Sequence, residues 1–108
     1  MVHLARPVLR RVAAVRREGG LAQGGELCVV RTAGLPASIR WQPAEGDGVE
    51  LAPPYRLERV ELRGSHRARL HGLTAGVRIV SDGWAPLFLV SPGQLTLLAL
   101  AAASTQRR

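Results

Sequence analysis

The punctuation of this chain constrains its fold more than any other feature. From residue 26 onward, short apolar runs are separated by Gly, Pro, Ser and Asp, with a turn signal roughly every 8–12 residues. Residues 26–32 read as a strand, and Ala33-Gly34-Leu35-Pro36 as a turn. In 37–42, Ile39 and Trp41 alternate with Ser38, Arg40 and Gln42, the mark of a half-buried strand. The polar loop 43–48 carries Gly46-Asp47-Gly48 at its tip and leads to a short strand at 49–51. In 55–63 the phase slips, with Tyr55 and Leu57 on one face and Val60 and Leu62 on the other, which predicts a bulge at Glu58-Arg59. Runs at 67–71, 77–81, 87–90 and 95–101 complete the set, and the last holds enough Leu and Ala to form a short helix instead. Seven or eight short strands at this spacing predict a mostly β fold, a small antiparallel β-sandwich or barrel.

The N-terminus has a different pattern. Val8, Val12 and Val15 stand at i, i+4 and i+7, with Arg10, Arg11, Arg16 and Arg17 largely off that stripe. This spacing predicts a basic helix, opened by Pro7 and stopped by Gly19-Gly20. An extended arm is the alternative, because valine-rich sequence is a weak helix former. Residues 19–25, with four glycines, read as a loop. The expected organisation is a basic segment, helix or arm, over 1–18 and a single β-rich domain over 19–108. At 108 residues there is room for one core.

The formal net charge is +7 and it is unevenly spread. Residues 1–18 hold five Arg and one Glu, residues 19–62 four Arg and six acids, and residues 63–108 six Arg and one Asp. Such a field attracts nucleic acid, an anionic membrane or an acidic protein surface. The chain has no Lys and no Asn, while Ala, Gly, Pro and Arg abound. That bias is what GC-rich coding produces, so the arginine excess is not in itself a binding signal.

Cys28 is the only cysteine, which excludes an internal disulfide and fits a reducing compartment. In the run Leu27-Cys28-Val29-Val30 it is expected to serve as a small buried hydrophobe. The first 18 residues lack the continuous apolar core of a signal peptide. The apolar tract 84–103 is broken by Pro86 and by Ser91-Pro92-Gly93 into pieces too short to cross a membrane. A cytoplasmic or virion location, without membrane association, is the expectation.

No constellation in the sequence carries chemistry. The glycines at 19–25 lack the Gly-Lys-Ser/Thr ending of a phosphate loop. His66 and His71 are five apart and would face opposite sides of a strand, so neither a metal site nor a cofactor is expected. Ser65, His66 and Asp82 could be arranged as a triad only on paper, since no nucleophile-elbow pattern accompanies them. Glu45, Asp47 and Glu50 share a loop but do not match a calcium-loop template. Arg63, Arg67 and Arg69 would line one face of a hairpin and, with Arg10, Arg11, Arg16 and Arg17, form the candidate contacts to an anionic partner. Only four aromatics occur in the chain, against the stacking platforms that single-stranded nucleic acid needs. Leu87, Leu89, Leu95 and Leu97 lie in the most apolar tract and are candidate interface residues.

The run Val77-Arg78-Ile79-Val80-Ser81-Asp82-Gly83-Trp84 resembles hairpins of phage fibre and capsid-decoration proteins, in which a strand ends in Ser-Asp-Gly and an aromatic opens the next strand. The resemblance covers eight of 108 residues and transfers no site residue. It implies a structural role in a virion. The expected function is therefore that of a non-enzymatic assembly protein, such as a capsid decoration, connector or tail component, that binds protein partners or further copies of itself. A nucleic-acid-binding β-barrel using the arginine-rich surface is the alternative.

Overall fold

A computed structural model describes residues 6–61 and 72–106. They form seven strands, β1 (Val8–Glu18), β2 (Leu21–Arg31), β3 (Ser38–Pro43), β4 (Val49–Glu50), β5 (Arg56–Val60), β6 (Ala75–Val80) and β7 (Leu87–Val90). A 3-10 turn, Pro92–Gln94, then leads into the helix α1 (Leu95–Ala103). All seven strands belong to one antiparallel sheet in the order β4-β3-β2-β1-β7-β6-β5.

The β content is as expected, but the architecture is neither a two-sheet sandwich nor a closed barrel. The edge strands β4 and β5 do not pair with each other. They are nonetheless joined by only five residues, 51–55. A flat seven-stranded sheet would hold its edges roughly 29 Å apart, whereas the path from Glu50 to Arg56 spans at most about 21 Å. The sheet must therefore curl. The connection holds both edges, because Leu51 N–H donates to Ile39 O (2.9 Å) and Asp82 N–H donates to Ala52 O (3.2 Å).

The concave face of the curl encloses the core. Val12, Leu27, Ile39, Trp41, Val77, Ile79 and Phe88 point into it, and α1 adds Leu98, Ala101 and Ala102. The alternation read in 37–42 is realised, with Ile39 and Trp41 buried and Arg40 outside. Leucine and alanine, the strongest helix formers of the C-terminal run, make it a helix and not a strand. The end of α1 is tied to the 51–55 connection through the buried Tyr55. Tyr55 N–H donates to Thr105 Oγ1 (2.9 Å), and its hydroxyl donates to Leu51 O (2.9 Å) while accepting from Ile39 N–H (3.1 Å). Ser104 Oγ accepts from Ala37 N–H (2.9 Å) and so joins the helix end to the start of β3.

Three expectations are corrected. The N-terminal basic helix is absent. Residues 8–18 are strand β1, paired with β2 over its whole length from Val8↔Arg31 to Glu18↔Leu21. Valine tolerates a strand better than a helix, and every second residue, Val12 and then Ala14, faces the core. The 18/19 boundary thus falls in a two-residue turn, where Gly19 takes a φ of 60°. Nor is 19–25 a loop, since β2 starts at Leu21 and runs through Gly24 and Gly25. The bulge at Glu58-Arg59 does not occur among the described residues, as the β5–β6 register is uniform from Arg56↔Val80 to Val60↔Gly76. The phase slip has a simpler cause: Leu57 packs against the core while Val60 lies on the convex face. The Asp82-Gly83 signal is realised as a two-residue turn closed by the Ser81↔Trp84 bridge, with Gly83 at a φ of 82°.

Candidate functional site

Because 8–18 is a strand, its arginines go to opposite faces and meet different fates. Arg16 shares the concave face with Val12 and Ala14 but lies where the core ends. Its Nη1 donates to Glu18 Oε1 (2.6 Å) and its Nε to Gln23 Oε1 (3.4 Å). The guanidinium lies over the Trp84 ring, 5.7 Å from its centroid, in cation–π geometry. Gln23 Oε1 also accepts from Trp41 Nε1 (3.3 Å). Trp41 in turn packs against Phe88, with ring centroids 5.1 Å apart. These side chains border a depression of about 240 Å³, whose far wall includes Glu45 and Asp47 of the 43–48 loop. Arg16 is therefore a structural arginine, held by a carboxylate, an amide and a ring.

Arg17 points to the convex face. Leu87 on β7 stands between it and Arg78 on β6, in register with both. Arg78 Nη1 donates to Ala85 O (2.7 Å) and fixes the chain between β6 and β7. The two arginines, Glu18, Glu61, Trp84, Pro86 and Leu87 border a groove of about 600 Å³ on this face.

Arg10 and Arg11 lie at the opposite end of β1 and are exposed. This end has an unusual edge. The β1–β2 turn has two residues, so the even-numbered residues of β1 exchange both backbone bonds with β2 and the odd-numbered ones point away. Val15 and Arg17 find β7 there, opposite Leu89 and Leu87. Beyond Ala14, opposite Val90, β7 has ended. Leu9, Arg11 and Ala13 thus present backbone N–H and C=O groups along an edge that no ladder among the described residues occupies. The side chains there are apolar and basic: Val8 and Leu9 are 49% and 50% exposed, and neither Arg10 nor Arg11 has a carboxylate partner among the described residues.

The candidate interface leucines are mostly engaged within the chain. Leu95 and Leu97 pack against the core, and Leu89 is only 1% exposed. Leu87 is half-buried in the convex groove. Sequence reasoning missed the exposed Leu9, although its place beside Arg10 and Arg11 becomes a signal once 8–18 is read as a strand. Cys28 is also displaced from its expected role. It is half-buried on the convex face, opposite Arg11 on one side and Arg40 on the other. Arg63, Arg67 and Arg69, and with them Ser65, His66 and His71, lie outside the described residues. Asp82 sits exposed in the β6–β7 turn. Among the described residues no three His, Cys, Asp or Glu side chains converge as metal ligands, and no helix is long and apolar enough to cross a membrane.

Compared with known proteins, the chain matches no family model, no curated protein and no solved structure.

Proposed function

We propose that this chain is a non-enzymatic assembly protein that joins further copies of itself through the edge of β1 that no described strand occupies. The observation that carries this reading is the run of outward-facing backbone groups at Leu9, Arg11 and Ala13, flanked by exposed apolar side chains. Strand edges of this kind pair with other chains unless they are blocked. Charge favours a head-to-tail arrangement. The β1 end carries Arg6, Arg10 and Arg11, whereas the 45–50 segment at the β4 edge carries Glu45, Asp47 and Glu50. A basic edge meeting the acidic edge of the next copy forms a heterologous interface, which closes into a ring or continues as a filament. The likeness of Val77–Trp84 to phage fibre and decoration hairpins makes a virion component, as decoration, connector or tail subunit, the setting of this role.

Light scattering coupled to size exclusion tests it, with nucleic acid monitored by ultraviolet absorbance. The expected result is a defined oligomer free of nucleic acid. Ala13→Pro supplies the control. The Ala13 N–H points to the open edge, so proline there removes no β1–β2 bond while blocking addition of a strand. The variant should melt with the wild type yet run as a monomer. A wild-type monomer, or an oligomer that survives Ala13→Pro, refutes the edge as the joint. A monomer that carries nucleic acid until salt strips it refutes the assembly reading in favour of phosphate binding.

A further inference from the structure

The convex groove is independent of the β1 edge, at the other end of that strand, and its lining has a definite chemistry. Leu87, Pro86 and Val60 supply the apolar part of its lining and Trp84 the aromatic part. Arg17 and Arg78 rise on either side of Leu87. Their Cα atoms are two strand spacings apart, about 10 Å, so two long side chains can converge on one small group above the leucine. We propose that this groove binds a small organic acid, a single carboxylate carried on an apolar or aromatic body.

Three features select that ligand. The first is the volume, about 600 Å³, which is that of a site for one small molecule. The second is the pair of guanidiniums. Arg78 uses Nη1 on Ala85 O, which orients its plane and leaves other donors of the fork, and Arg17 has no carboxylate partner among the described residues. The third is the charge balance. Glu18 also lines the groove, but its Oε1 is taken by Arg16 at 2.6 Å. Among the described lining residues the two guanidiniums then exceed the remaining carboxylate, Glu61, by one, a balance that suits a monoanion better than a doubly charged phosphate. The carboxylate would bridge Arg17 and Arg78, with the body lying over Leu87 against the Trp84 indole.

The two tryptophans make the test direct. Trp41 and Trp84 both border the smaller depression around Arg16, but only Trp84 also lines the groove, so a shift of the Trp84 indole N–H without one of Trp41 reports the groove. The intact chain would be titrated with 4-phenylbutyrate, with its amide, and with phenyl phosphate. The acid should shift the Trp84 resonance to saturation and leave that of Trp41 in place, and the amide should produce no shift. Arg17→Gln keeps the backbone ladder and should weaken binding about tenfold, the loss of one charge-assisted bond. Arg78→Lys, which keeps the charge and can still reach Ala85 O, should weaken binding several-fold by removing the planar fork. No Trp84 shift up to the solubility limit of the acid, equal binding of the amide, or unchanged affinity in a folded Arg17→Gln or Arg78→Lys variant would overturn the proposal. Tighter binding of phenyl phosphate would overturn the choice of a monocarboxylate.

Discussion

Replacing Tyr55 by Phe tests whether one phenol holds the curl closed. The ring is retained, so the packing of a residue only 1% exposed is unchanged. What is lost is the hydroxyl, which donates to Leu51 O (2.9 Å) and accepts from Ile39 N–H (3.1 Å). Both bonds are buried, so both backbone groups lose their partner inside the protein. Leaving a buried polar group unsatisfied costs about 1–3 kcal/mol. The remaining bond between them, Leu51 N–H to Ile39 O (2.9 Å), serves neither orphaned group, and two such losses in the lower half of that range cost about 2–4 kcal/mol. In a domain of this size that corresponds to a fall in melting temperature of roughly 10–20 °C. It remains smaller than a total stability of about 5–10 kcal/mol, so the variant should still fold at room temperature.

The same residue predicts the alkaline behaviour. Burial pushes the Tyr55 phenol above its ordinary value. The bond from Ile39 N–H opposes this by stabilising the anion, and the negative charge of Glu50 adds to the rise. The folded value therefore lies above the unfolded one. The contribution of Tyr55 is complete below about pH 10, where both states are protonated, and is lost as pH rises toward the folded value because the unfolded phenol ionises first. The chain has no lysine and no second tyrosine, so the part of an alkaline loss above about pH 10 that Tyr55→Phe abolishes belongs to this phenol. Urea unfolding at neutral and alkaline pH, with phenolate absorbance as a second signal, measures both effects. Wild type should lose stability above about pH 10 and Tyr55→Phe should not. A neutral-pH difference below about 1 kcal/mol, or parallel alkaline curves, would refute the pinning role.

Two further substitutions probe the packing. Gly25→Ala would place a Cβ 2.8 Å from the Trp41 ring and 2.7 Å from Pro43 Cα, so β2 and β3 must separate. A loss above about 2 kcal/mol in chemical unfolding is expected, whereas Gly24→Ala, with nothing within 4 Å, should stay within about 0.5 kcal/mol. Thr105→Val keeps the shape of a residue that is 8% exposed but removes the acceptor for Tyr55 N–H (2.9 Å). It should cost about 1–3 kcal/mol and raise hydrogen exchange at Tyr55 first.

Where one face of a strand met the core along its whole length, the sequence was legible. Ile39 and Trp41 alternate with polar neighbours because the curl gives β3 one wet and one dry side. The Asp82-Gly83 turn was legible for a local reason too, since the backbone there needs a positive φ. β1 was not legible, because only its middle faces the core. Its far end is exposed on both faces, so Arg10 and Arg11 follow each other without a period-two signal, and the valines fall by chance at helical spacing. Its pairing with β7, seventy or more residues away in sequence, is a fact of the whole chain. Gly25 misled for the opposite reason. It reads as a loop residue, yet it is glycine because Trp41 and Pro43 on the neighbouring strand leave no room for a Cβ.

The same logic governs the candidate sites. On a helix Arg16 and Arg17 would both stand off the apolar stripe and act together. On a strand they part, and Arg16 closes the end of the core against Glu18, Gln23 and Trp84, while Arg17 faces Leu87 and the convex groove. Net charge cannot separate these roles, because both residues contribute equally to it. Substituting each in turn can. Arg16→Gln should lower stability by removing a partly buried guanidinium from Gln23 and the Trp84 ring, while Arg17→Gln should leave stability in place and affect only what the groove binds. If the two substitutions behave alike, the adjacent arginines do not lie on opposite faces and the strand assignment of 8–18 fails with them.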